Sequence, residues 1–359
     1  MKSKILWLIL IALLTACTAP APTATPTPAG PRTLKVMTHD SFSISESAIA
    51  AFETQHNVKV QFLSSGDTGS LVNQASLSKD QPLADVIYGI DNTFLSRAQA
   101  AGIARPLSAP PAGLQEIPAA LQIDPQGQYL PIDYSDVCLN YDLAYFKEHN
   151  LPVPEKLTDL TRPEYKGLLV VENPGASSPG LAFLMATIAT LGEEKGTGYL
   201  EFWSALEAND LLVVNDWNSA YYNEFSGGSG SQGVRPIVVS YATSPAAEVY
   251  FSEGQLQEPP TASLLTPGTC FRQIEFAAVL QGTQQPDLAE AFLAFLLSPT
   301  FQEDIPLQMW VYPALPTARL PEVFQKFAAV AQDPVQLPPE TIQQNRERWI
   351  SEWTATMFK

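Results

Sequence analysis

The chain has 359 residues, 45% hydrophobic and 16% charged, the balance of a globular protein long enough for two cored domains. Its formal charge of −17 argues against nucleic acid as a partner and for a neutral or cationic ligand. Three histidines and three cysteines, without paired metal-ligand spacing, exclude a zinc framework.

The order of segments begins with an address. Lys2 and Lys4 precede the apolar run Ile5–Leu14, too short to span a bilayer and typical of a signal peptide. It ends in Leu14-Thr15-Ala16-Cys17, which resembles the lipobox of bacterial lipoproteins and implies a lipidated Cys17. Residues 18–32, TAPAPTATPTPAGPR, are a Pro/Ala/Thr tether that cannot bury a core. The expectation is a signal peptide with its lipidated cysteine over 1–17, a tether over 18–32, and a body held outside the cytoplasm in the cell envelope.

The body opens with repeated strand–helix units. Thr33–Thr38 alternates as a strand ending at His39-Asp40-Ser41, Ser45–Asn57 has helical spacing, and Val58–Leu63 is a second strand. Asp67–Ser70 lies at the start of the next helix, and Ala84–Ile90 is a third strand with Asp91-Asn92 at its end. This order predicts a parallel sheet with right-handed crossovers. Pro106–Tyr129 is turn-rich, and Leu130–Tyr141 then reads as a long extended crossover to a second lobe.

The second lobe repeats the pattern. Leu168–Glu172 leads through NPGASSPG to the apolar helix Leu181–Leu191. Gly198–Ala208 is amphipathic with Phe202, Trp203 and Leu206 inward, and Leu211–Val214 ends at Trp217. Ile237–Ser240 is a buried strand; Tyr241 follows, then a helix around Pro245 that Thr243 or Ser244 can cap. Phe271–Leu280 is a second extended segment returning to the first lobe, followed by helices at Pro286–Ser298 and Pro339–Phe358. The predicted architecture is α/β with two lobes, 33–135 and 136–271, and a return over 272–359. Two crossovers joining two lobes make a hinged clamshell.

Ligands of open α/β sheets bind outside the carboxyl ends of the strands. Here those ends carry His39, Asp67 and Thr68, Ser177 and Ser178, Trp217, Tyr241 and Ser244. Hydroxyls and N–H groups at helix starts can hold an anion such as phosphate. Trp217, Tyr241 and Trp310 offer flat faces to a ring or a cation.

Seven stretches, in order, carry a resemblance. They are HDSF (Phe42 at its end), ADVIYGIDN (from Ala84), DYSDVCLNYD (from Asp133), SSPGL (from Ser177), SYATSPA (from Ser240), MWVYP (from Met309) and ISEW (from Ile350). With them the chain resembles the thiamine-binding periplasmic proteins of bacterial thiamine ABC transporters, which are type II periplasmic binding proteins. The resemblance implies capture of thiamine or a thiamine phosphate by domain closure. It implies delivery to an ABC permease with its ATPase, by a monomer without catalytic residues, cofactor or metal. It places ligand contacts on Asp67, Thr68, Ser177, Ser178, Trp217, Tyr241 and Ser244, with Trp310 as a further aromatic. The pattern departs at His39, where a tyrosine is expected, and at Gly66-Asp67-Thr68-Gly69, where an acidic pair before glycine is usual.

Two other readings stand beside it. Tyr221-Tyr222 is similar to the tyrosine pair of ferric-iron-binding members of the superfamily. Cys138, with Glu275 as its base, would match the nucleophile of a thiamine-degrading enzyme of similar fold, although a cysteine in an apolar strand is more often inert. Cys138 and Cys270 fall one on each crossover. A disulfide between them is possible outside the cytosol, and two separate buried thiols are the preferred expectation.

Overall fold

The computed structural model describes residues 32–358. The signal peptide, Cys17 and nearly all of the tether lie outside the described residues. Among the described residues, no helix is long and apolar enough to cross a membrane.

The first lobe starts with β1 (Arg32–Thr38), α1 (Glu46–His56), β2 (Val58–Ser64), α2 (Thr68–Leu77), β3 (Val86–Asp91) and α3 (Leu95–Ala101). Local chemistry sets the boundaries. The Ser45 hydroxyl accepts from the Ala48 N–H at 3.2 Å and starts α1, and Asn57 ends it in the left-handed region at φ 49°. Asp67 caps α2 by accepting from the Thr68 N–H at 2.7 Å. Strand β1 pairs in parallel with both β2 and β3, as the strand–helix alternation requires.

Strand β4 (Leu130–Asp142) carries the chain away, and Asp142 caps the short α4 (Leu143–Glu148). The second lobe holds β5 (Leu169–Glu172), α5 (Ser178–Leu191), α6 (Tyr199–Ala208), β6 (Leu212–Val214), β7 (Ile237–Tyr241), α7 (Ser244–Phe251) and β8 (Thr261–Leu264). Strand β9 (Phe271–Val279) brings the chain back to α8 (Pro286–Leu296), α9 (Pro299–Gln302), α10 (Ile305–Met309), β10 (Tyr312–Pro313), α11 (Glu322–Phe327) and α12 (Pro339–Met357).

The strands form one path, β2-β1-β3-β9-β4-β7-β5-β6, with β8 and β10 also on β4. Strands β4 and β9 run antiparallel through its middle. The carboxyl-terminal half of β9 pairs with β3, and that of β4 pairs with β7. Each crossover is therefore half of one lobe's sheet and half of the other's.

Core packing follows the apolar faces read from the sequence. Trp203 is fully buried, edge-on to Phe183 and Trp353, with its Nε1–H donating to Thr187 Oγ1 at 2.9 Å. Trp353 belongs to α12, which packs on α6 of the second lobe and on α3 of the first. The terminal helix thus ties the lobes together rather than belonging to one. Cys138 and Cys270 are joined in a disulfide, which corrects the expectation of two separate thiols. The register explains it: Val137 pairs with Phe271, so the cysteines at adjacent positions stand on neighbouring strands with Cα atoms 4.4 Å apart.

Candidate ligand-binding cleft

The strand ends of both lobes converge on one cleft whose floor is the β4–β9 pair. His39 and Asp67 with Thr68 line it from the first lobe; Ser178, Trp217, Tyr241 and Ser244 line it from the second. Trp310 closes the rim. Eight of the nine predicted contacts are thus brought together. Ser177 is the exception: it is fully buried as the N-cap residue of α5 and does not line the cleft.

The first-lobe wall is polar. His39 lies against Gly89, which sits at φ 98° where a Cβ would run into the imidazole ring; only glycine fits there. His39 Nε2 is 3.5 Å from Glu275 Oε2. Burial alone would lower the imidazole's pKa, but Glu275, with Asp67 and Asp133 behind it, outweighs burial and pushes it up to about 9. Asp67 is itself raised by burial, opposed by the Thr68 and Ser178 N–H groups that donate to it. The Thr68 hydroxyl is already committed to the Gly89 carbonyl at 3.0 Å.

The second-lobe wall is aromatic and pinned in place. Trp217 stacks on Tyr221 with ring centres 5.0 Å apart and planes at 21°. Its Nε1–H donates to Ser240 Oγ at 2.9 Å, and Ser240 Oγ lies 3.0 Å from Ser244 Oγ. The Tyr221 hydroxyl donates to Glu248 at 2.7 Å, and the Ser229 hydroxyl donates to the other Glu248 oxygen. Tyr222 stands edge-on to Trp217. The tyrosine pair therefore serves the aromatic wall, and among the described residues no group of three or more His, Cys, Asp or Glu side chains is arranged to hold a metal.

The lobes touch across the cleft. The Gly69 N–H donates to the Ala176 carbonyl at 3.2 Å, and a Cβ on Gly69 would stand 2.5 Å from that oxygen. The Ser178 N–H points at Asp67 Oδ1, 3.4 Å away, so a carboxylate of the protein already stands at the start of α5 where a phosphate was expected. Thr243 is the N-cap residue of α7 but makes no side-chain cap; its hydroxyl donates instead to the Trp310 carbonyl. Trp310 is in the left-handed region at φ 58°, flanked by Tyr250 and Phe251 with ring centres 5.3 and 5.5 Å away.

Most of the floor was missed from sequence, where only Glu275 was singled out, as a base for Cys138. Asp133, Ser135, Gln273 and Glu275 face the cleft from β4 and β9. A signal was present: carboxylates in otherwise apolar crossovers are costly unless used. Burial and the neighbouring Glu275 raise the Asp133 carboxyl well above the usual range, while the Tyr88 hydroxyl, which donates to it, pulls the other way. Asp91, behind it at the end of β3, is pushed up to about 7, chiefly by burial. Five acids line the cleft, Asp40, Asp67, Asp133, Glu248 and Glu275, and among the described lining residues there is no lysine or arginine. Cys138 is fully buried in its disulfide. It has no thiol to attack a substrate, which removes the nucleophile of the enzymatic reading.

Comparison with known proteins gives a consistent result. Residues 81–333 match the family model described as bacterial extracellular solute-binding protein. The chain is 30% identical over 351 residues to the thiamine-binding periplasmic protein of Salmonella typhimurium (strain LT2), covering 95% of this chain and 96% of that one. It is 29% identical over 345 residues to the thiamine-binding periplasmic protein of Escherichia coli (strain K12), again covering 95% and 96%. Among solved structures, a periplasmic thiamin binding protein superposes with a TM-score of 0.78 at 26% identity, over 92% of this chain and 97% of that one. Iron-bound HitA from Pseudomonas aeruginosa superposes with a TM-score of 0.69 at 20% identity, over 91% and 99%, a likeness of fold alone.

Proposed function

Because the chain belongs to the family of bacterial extracellular solute-binding proteins, we propose that its solute is thiamine or a thiamine phosphate. In this reading the two lobes of its type II periplasmic-binding-protein fold close on the ligand and present it to an ABC permease with its ATPase. The observation that carries the reading is the composition of the cleft: a pinned aromatic wall opposite a cluster of acids, with His39 as the one basic group among the described lining residues. A cationic heteroaromatic ring satisfies both sides, stacking on Trp217 or Tyr241 and neutralising buried carboxylates. The names of the relatives support thiamine as that ring.

The protein acts by binding rather than catalysis, as a monomer and without a cofactor of its own. Lipidation of Cys17 anchors it to the membrane, with the tether leaving the body free to meet the permease. Calorimetric titration of the purified full chain tests the function. Saturable binding of thiamine, with its mono- and diphosphate compared alongside, is the expected result. No heat with any of the three, together with tight binding of ferric ion, overturns it.

A further inference from the structure

The antiparallel register sets Asp133 of β4 directly opposite Glu275 of β9. A bulge precedes this pair: Pro131 pairs with Phe276 and Asp133 with Glu275, so Ile132 is an extra residue on β4. Such insertions re-aim side chains next to functional sites. Gln273 lies two residues before Glu275 and so on the same face of β9. All three side chains line the cleft at its floor.

Their hydrogen bonding is incomplete. Asp133 is fully buried; its Oδ2 accepts from the Tyr88 hydroxyl, and its Oδ1 has no partner. Glu275 Oε2, facing His39 at 3.5 Å, also has none. The Gln273 amide nitrogen donates to Asp91 Oδ2 at 3.1 Å and to Ser178 Oγ at 2.8 Å, which leaves its Oε1 unpartnered at 2% exposure. Folded proteins leave few buried polar atoms unpaired. Three acceptors at the bottom of one cleft call for a ligand that brings donors.

We propose that Asp133, Gln273 and Glu275 form a subsite for an N–C–NH2 edge, the amidine-like edge of an amino-substituted nitrogen heterocycle. Resting on the proposed function, that edge is the aminopyrimidine of thiamine. Asp133 stands opposite Glu275 in the register, and burial together with that neighbouring carboxylate raises the Asp133 carboxyl well above its usual range, so it keeps its proton beside Glu275. The pair then offers one O–H donor and one carboxylate acceptor side by side. The O–H serves the ring nitrogen, and the carboxylate and the Gln273 carbonyl accept from the amino group. No bond is made or broken, and the proton stays within the pair and the ligand edge. Replacing the amino group by a carbonyl reverses the pattern, turning the donating NH2 into an acceptor and the accepting ring nitrogen into a donor.

The test compares thiamine with its 4-oxo analogue and with the thiazolium fragment alone, titrated into the full chain and into D133N and E275Q. Wild-type protein is expected to bind the oxo analogue ten- to a hundredfold more weakly than thiamine, the range for one or two buried hydrogen bonds. E275Q, whose amide can donate to a carbonyl, should lose most of that preference, and the thiazolium fragment should bind all three proteins alike. Equal wild-type affinity for thiamine and the oxo analogue overturns the subsite, and so does an unchanged preference in both variants. The wild-type comparison decides the matter even if a variant fails to fold. If thiamine does not bind, the proposed function fails separately. The free 4-amino-5-hydroxymethyl-2-methylpyrimidine then tests the subsite alone: binding that E275Q abolishes supports it, and no binding overturns it.

Discussion

Replacing Trp217 by alanine should damage ligand binding much more than folding. The ring is half-buried, with one face on Tyr221 at 5.0 Å, and it lines the cleft. Removing it deletes a cation–aromatic contact worth ~0.5–2 kcal/mol and any ring stacking worth ~0.5–1.5 kcal/mol. Together these correspond to roughly five- to a few hundredfold weaker thiamine binding. The fold should tolerate the loss, because Ser240 keeps its contact with Ser244 at 3.0 Å when the indole N–H is gone, and Tyr221 remains tied to Glu248. Trp203→Ala is the control. That ring is fully buried between Phe183 and Trp353, and its truncation should cost about 3–5 kcal/mol of stability. Calorimetric affinity and thermal unfolding of both variants, each normalised to folded protein, separate the two roles. If Trp217→Ala lowers the unfolding midpoint as far as Trp203→Ala while affinity per folded molecule is unchanged, Trp217 is core and the cleft wall is misassigned.

Stability should fall with rising pH between about 6.5 and 9. His39 is raised to about 9 in the folded protein, so its contribution is complete below the unfolded value near 6.5 and is lost through the folded value, on the order of 3 kcal/mol; in His39→Gln the fall in midpoint over that range should be shallower, with the raised acids Asp91 and Asp133 supplying what remains, and an unchanged slope refutes the assignment. Removing the Cys138–Cys270 disulfide by double alanine substitution frees a loop with a sequence separation of 132 residues. It should cost about 2–5 kcal/mol by denaturant unfolding, and no shift in midpoint would show that the closed loop adds nothing. Cys17→Ser should move the protein from the membrane to the soluble fraction with thiamine affinity intact, and loss of affinity would show that the anchor is not separate from the binding body.

The sequence made the repeated units readable where pattern and punctuation agreed. Ser45 and Asn57 bracket α1, and the apolar run before Gly192 marks α5, although that helix begins earlier than expected, at Ser178. Helix α3 was passed over because Phe94 before it supplies no side-chain cap. The stretch Ser219–Glu224 forms a π-helical turn, a conformation with no clear sequence signature. Strand-end residues such as Asp67, Trp217 and Tyr241 were legible because the parallel topology fixes where loops converge. Asp133 was not, and Glu275 only as a base for Cys138, since single polar residues in an alternating strand read as its solvent face. Their opposition depends on the Ile132 bulge. The cysteine pairing depended in the same way on register, which no single strand reveals.

The location of the floor bears on how closure would be driven. Strands β4 and β9 belong to both lobes, so Asp133, Gln273 and Glu275 hold nearly the same relation to one another whichever way the lobes are set. The walls do not: Asp67 reaches Ser178, Gly69 reaches Ala176, and Thr243 reaches Trp310 only when the lobes meet. Three such hydrogen bonds amount to a few kcal/mol at most, a modest bias before the entropy of closing is subtracted. A ligand shifts that equilibrium only by what it gains in the closed state beyond the open one. Contacts with the floor form in both states and therefore select the ligand. Contacts bridging Trp217 and Tyr241 on one side with His39 and Asp67 on the other exist only when closed, and they convert occupancy into closure. Substitutions on the floor should thus change which ring is bound, whereas substitutions in a wall should change how completely a bound ring closes the lobes.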